Sequence, residues 1–114
     1  MIARRRRWRA AAATIVGGTI VAVGPACTVR RPASHVVKMQ NFGFAPAAVT
    51  VAVGDTVVWT NADFVPHTAT ARDSAWDSKS IAADSAWRLV ARAPGTHAYF
   101  CVYHPNMQGT VEVR

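Results

Sequence analysis

Four side chains set out a chemistry before any fold is considered. The run Tyr99-Phe100-Cys101-Val102-Tyr103-His104-Pro105-Asn106-Met107-Gln108-Gly109 carries a thiolate, an imidazole and a thioether donor, with two residues between each pair. A second imidazole, His67, lies upstream behind Pro66. A soft thiolate, two imidazoles and a weak thioether suit copper: three strong donors lie roughly in a plane and methionine sits far off on the axis. The spacing therefore predicts one copper ion held by His67, Cys101, His104 and Met107. Zinc would accept a Cys-His-His set, but structural zinc sites favour more thiolates. With all four positions filled by protein, no open position remains for a substrate, which argues against an enzyme. No triad-like serine is present, and no carboxylate lies near the 101–107 cluster in sequence.

Such a site needs a rigid frame. Cys101 must end a strand pointing inward, the loop must turn at Pro105, and Met107 must enter as the next strand begins. His67 must arrive at the same end from a neighbouring strand. The chain supplies period-two patterns in the right places. His35–Asn41 alternates, with Val36 and Lys38 opposite Val37 and Met39. Residues 42–46 read as an aromatic turn with two breakers. Val49–Val53 and Thr56–Asn61 alternate on either side of Gly54-Asp55 and are predicted to pair as a hairpin. Thr68–Arg72, Ser85–Ala91, Thr96–Cys101 and Thr110–Arg114 read as further strands. The segment 73–83 reads as irregular, anchored by Trp76 and Ile81. No stretch has a useful helical period. The expected fold is all-β, a Greek-key β-sandwich or barrel of about seven to eight strands. The thiolate needs burial and an amide donor. Thr68 is the candidate donor to the sulfur, with Asn61 as a further outer residue.

The 114 residues suffice for one domain. The formal charge of +7 is concentrated at the front, where Arg4, Arg5, Arg6, Arg7 and Arg9 supply five positive charges. Downstream of these, eight basic side chains face six acidic ones. The high charge is therefore a property of the leading segment, and nucleic-acid binding is not expected. The basic block precedes an uncharged run, Ala10 to Ala26, which together read as an export signal over residues 1–26. A retained N-terminal membrane segment is the alternative. Cys27 directly after Ala26 adds a third, a lipid-modified cysteine, although Gly24 stands where such signals usually carry leucine. A Cys27–Cys101 disulfide is disfavoured, because Cys101 belongs to the donor cluster. Residues 27–34 read as a linker and 35–114 as the copper-binding domain. All readings of the leader place the domain in the periplasm or outside the cell. His35, at the linker border, is expected at the surface. His97 is expected as a core or rim histidine, about 13 Å along the strand from Cys101.

Residues 36–114 resemble the cupredoxins, with amicyanin and the plastocyanins the nearest in pattern. The resemblance rests on Phe42-Gly43-Phe44-Ala45-Pro46, Gly54-Asp55-Thr56-Val57-Val58-Trp59-Thr60-Asn61, Pro66-His67-Thr68, Pro94-Gly95-Thr96 and the closing Cys-x2-His-Pro-x-Met-x-Gly loop. It implies a monomeric blue-copper electron carrier that cycles Cu(II) and Cu(I) between redox partner proteins. It also implies electron exit at the His104 edge, through an apolar docking patch of Val65, Pro66, Tyr103 and Pro105. A copper-delivery protein would share the ligands but would need an exposed, exchangeable site. A metal-free adhesive sandwich would leave the donor spacing unexplained.

Overall fold

The computed structural model describes residues 11–24 and 29–114. The arginine block, Trp8, the Ala26 boundary and the readings made at Cys27 fall outside the described residues. Residues 11–24 form no helix or strand and are exposed. No helix among the described residues is long and apolar enough to cross a membrane.

Eight strands follow: β1 (Ser34–Gln40), β2 (Gly43–Ala45), β3 (Ala48–Val51), β4 (Thr56–Asn61), β5 (Thr70–Ala71), β6 (Ala86–Val90), β7 (Gly95–Phe100) and β8 (Gln108–Val113). They form two four-stranded sheets, ordered β2-β1-β4-β6 and β3-β8-β7-β5. The all-β sandwich expected from the alternating patterns is the fold found. β1 runs parallel to β4, and β3 parallel to β8; the other pairs are antiparallel. Val37 and Met39 of β1 face inward, while Val36 and Lys38 face water.

The predicted hairpin of β3 and β4 is not formed. The two strands lie in different sheets, so Gly54-Asp55 is a corner between layers. The physical reason is Asp55, whose side chain is wholly buried. Its carboxylate accepts two bonds from the Arg30 guanidinium (2.9 and 3.0 Å) and one each from the amides of Ala33 (2.9 Å) and Ala52 (3.0 Å). His35 Nε2 completes the shell at 2.9 Å. His35 is therefore half-buried in a polar cluster, not a free surface residue. The Arg30 guanidinium, then the Ala33 amide, hold the Asp55 carboxyl well below the usual carboxylate range. Gly54, at φ 93°, makes the corner in the left-handed region.

Two other expectations are corrected. Residues 43–45 are not turn but strand, pairing antiparallel with β1 from Lys38↔Ala45 to Gln40↔Gly43. The strand expected over 68–72 is only two residues long. The amides of Thr68 and Ala69 are spent elsewhere, on Cys101 Sγ and Ser78 Oγ.

The core is aromatic. Trp59 faces Trp87 across β4 and β6, with ring centroids 5.5 Å apart. Tyr99 joins the layers by edge contacts to Trp59 (5.4 Å) and Phe44 (4.6 Å). Burial pushes the Tyr99 phenol up to about 12. Gly109 lies opposite Tyr99, and any Cβ there would fall inside that ring's contact distance. Trp76 and Ile81 anchor the irregular segment as expected.

His97 is nearly buried on β7. Both ring nitrogens face acceptors: Nε2 the Ala93 carbonyl at 2.9 Å, and Nδ1 Asp73 Oδ2 at 2.7 Å. Only the imidazolium donates to both. The Ala93 carbonyl and the Asp73 carboxylate accordingly raise its pKa. A raised folded-state pKa means that the contribution is full below the unfolded value, near 6.5, and is lost as pH rises through the folded one. Urea unfolding should show wild-type stability falling as pH rises through neutrality, by a small amount because Asp73 is half open to water. In His97→Phe that slope should flatten.

Candidate metal centre

The four sequence-predicted donors come to one end of the sandwich, beyond the C-terminal ends of β4 and β7. Two successive tight turns build the 101–107 loop. The His104 amide donates to the Cys101 carbonyl (3.3 Å), and the Met107 amide to the His104 carbonyl (2.8 Å). The Cys101 amide closes the loop onto the Met107 carbonyl at 3.1 Å. A donor side chain every third residue is thus fixed by backbone bonds. Cys101 and Met107 are both buried within the hydrophobic core.

His67 arrives on the chain leaving β4. Its amide and carbonyl pair with Ile81 (3.1 and 2.8 Å), which anchors it from the irregular segment. Its ring is fully buried, and Nδ1 lies 3.8 Å from Cys101 Sγ. The Thr68 amide stands 3.3 Å from the same sulfur. Thr68 Oγ1 accepts the Val102 amide at 2.9 Å, so one residue braces both sides of the cysteine. Asn61 spans the entry loop: Nδ2 donates to the carbonyls of Val65 (2.9 Å) and Ile81 (3.0 Å), and Oδ1 accepts the Asp63 amide (3.0 Å).

One functional residue was not anticipated. Asp63 Oδ2 lies 2.7 Å from His67 Nε2. A carboxylate there takes the proton of Nε2 in a hydrogen bond, so in the neutral ring Nδ1 is the nitrogen with the free lone pair, and it faces the sulfur. Burial alone would raise the Asp63 pKa. The Phe42 amide, the His67 ring and the Asn41 amide outweigh it, and the net direction is down. No carboxylate lies near the 101–107 loop in sequence, but Asp63 reaches this end in space through His67. The available signal was an acidic residue four positions before a candidate histidine.

His104 is half-buried, its ring 5.2 Å from that of His67. Among the described residues, no three His, Cys, Asp or Glu side chains are drawn together tightly enough to hold a metal by themselves. The close pair is His67 and Cys101, with His104 standing beside it. Phe42 packs edge-on against both imidazoles, 4.8 Å from His104 and 5.6 Å from His67. Around this end Pro66, Tyr103 and Pro105 are exposed and Val65 half-buried. Phe64, fully exposed, and Phe42 enlarge the apolar rim beyond the residues anticipated.

The donor chemistry fits copper better than a harder ion: a buried thiolate position with an amide donor, a tautomer-fixed imidazole and a buried thioether. Comparison with known proteins agrees. The family model for the cupredoxin-like domain matches residues 12–113. Amicyanin-alpha of Methylorubrum extorquens is 30% identical over 109 residues, covering 90% of this chain and 87% of that protein. Amicyanin of Paracoccus versutus is 28% identical over 101 residues, covering 83% and 76%. The solved structure of an amicyanin mutant in its Cu(I) form superposes with a TM-score of 0.67 at 28% identity, over 71% of this chain and 82% of that one. A purple cupredoxin from Nitrosopumilus maritimus, 24% identical, shares the fold with a TM-score of 0.65, over 70% of this chain and 99% of that one. This chain belongs to the cupredoxin-like family.

Proposed function

We infer that this protein is a type 1 copper electron carrier and that His67, Cys101, His104 and Met107 hold its single copper ion. The observation that carries the ligand assignment is the Nδ1 of a fully buried His67 facing a buried, amide-bonded Cys101 sulfur at 3.8 Å. Bound copper supplies a one-electron couple between Cu(II) and Cu(I). The chain's part is to keep the donors still. The backbone bonds of the 101–107 loop fix three of them, and the pairing of His67 with Ile81, together with Asp63 on its ring, fixes the fourth. His104, its ring 5.2 Å from that of His67, would complete the set beside the His67–Cys101 pair. Water is kept from the sulfur by the surrounding core, which limits the rearrangement that each electron costs.

The half-exposed His104 edge is the exit toward redox partner proteins. Val65, Pro66, Tyr103 and Pro105 form the docking rim, and an apolar rim of this kind suits a brief, salt-tolerant encounter. No position is left for a substrate, so the protein is not an enzyme. It works as a monomer outside the cytoplasm, delivered by the leading segment 1–26. Residues 27–34 link that segment to the copper domain, 35–114, and from Arg30 onward the link is itself bonded to the domain through Asp55. Optical and EPR spectra of the copper-loaded, oxidised protein test this reading. An intense blue band with a narrow copper hyperfine splitting is expected. A colourless protein would refute the carrier, and rapid loss of copper to a mild chelator would favour delivery.

A further inference from the structure

Gln40 pairs with Gly43, so the turn from β1 to β2 has two central residues, Asn41 and Phe42. Both are left-handed, at φ 52° and 57°. Tight hairpins of this form favour Asn-Gly, because a side chain at the second position crowds its own backbone. Phenylalanine there is locally unfavourable. Its ring is about half exposed, so it gains little from core packing in return. The turn is instead held from outside. Asp63 Oδ1 accepts the Asn41 amide at 2.7 Å, and Oδ2 accepts the Phe42 amide at 3.0 Å. The same Oδ2 takes His67 Nε2. One carboxylate thus clamps the turn to the imidazole that the turn's aromatic ring covers. Hollows of about 450 and 360 Å³ flank this end, and Phe42 is a wall of both.

We propose that Phe42 is a positioning lid over the two imidazoles, aimed by Asp63, and that it restricts access of water and competing chelators to His67 and His104. A costly conformation kept without a core return marks a residue held for function. The inference rests on the copper reading of the site, but it can be read without metal.

The test uses the full chain. In the metal-free protein, carbethoxylation of each histidine is followed by mass spectrometry. Phe42→Gly should melt no lower than wild type, since glycine suits the turn, while His67 modification speeds up about tenfold as local opening becomes easier. Copper release to a chelator should accelerate by a similar factor. Phe42→Trp keeps a ring and should stay near wild type. Asp63→Ala should speed modification of His104 several-fold, and should add nothing further in the Phe42→Gly background; that double variant separates a path through Phe42 from the direct contact of the His67 and His104 rings.

Rates in Phe42→Gly within twofold of wild type would overturn the lid. So would a Phe42→Trp as open as the glycine variant, or a glycine variant that melts well below wild type, which would make the ring a core anchor. An unchanged His104 rate in Asp63→Ala would remove Asp63 from the device. Wild-type protein that binds no copper would refute the proposed function, while the metal-free histidine rates would still judge the lid.

Discussion

Replacing Cys101 by serine removes the intense visible band of the oxidised, copper-loaded protein completely. The band requires charge transfer from a thiolate, and a hydroxyl does not ionise in its place at neutral pH. The substitution changes little else in shape: the Thr68 amide that stands 3.3 Å from the sulfur can still donate to an oxygen. The metal-free domain should therefore keep its fold, losing about 1–3 kcal/mol for a polar atom in an apolar pocket. The larger loss is in the metal's contribution. Copper at a thousand times its dissociation constant stabilises the folded state by about 4 kcal/mol. Thermal melts with and without copper should show most of that increment in wild type and little in Cys101→Ser. A blue variant, or an undiminished copper increment, would mean that the sulfur is not a ligand.

Replacing Asp55 by alanine should cause the largest loss of stability at any polar position, with no change at the metal. The carboxylate is wholly buried and satisfies two backbone amides, a guanidinium and an imidazole. Removing it leaves the Ala33 and Ala52 amides without their acceptor, the costly direction in which to break such a cluster, while the more than half-exposed Arg30 guanidinium turns to water. A fall in Tm of about 10 °C or more is expected, while the blue spectrum of the loaded protein stays unchanged. The pH dependence has a definite sign. Asp55 is depressed in the folded state, so its contribution is full above the ordinary carboxyl value, near 4, and is lost as pH falls toward the folded value. Acid titration of wild type should show this loss below pH 4, and Asp55→Asn should lack it. A spectrum that shifts along with stability would show that the two ends of the sandwich are coupled.

The reach of the sequence differs between these two sites for a physical reason. The Cys101, His104 and Met107 spacing is local, and the two tight turns that set it need only neighbouring residues. Strand positions were legible for the same reason: Val37 and Met39, or Val57 and Trp59, alternate within one short run. Partner choice is not local. Val49–Val53, Gly54-Asp55 and Thr56–Asn61 carry every sign of a hairpin. The chain instead crosses between layers, because Asp55 collects Arg30, Ala33 and His35 from far upstream. Asp63 was missed likewise. Its three partners, Asn41, Phe42 and His67, meet only once β1 and β4 lie side by side.

The clamp on Arg30 also sets an orientation. It fastens the incoming polypeptide where β4 begins, whereas the donors gather where β4 ends, about 17 Å further along. Anything grafted upstream, whether a lipid, a bilayer or a carrier domain, would be held at the heel of the molecule. The toe, with its aromatic rim and imidazole edge, would still point into open solution, ready to trade charge with whatever drifts past.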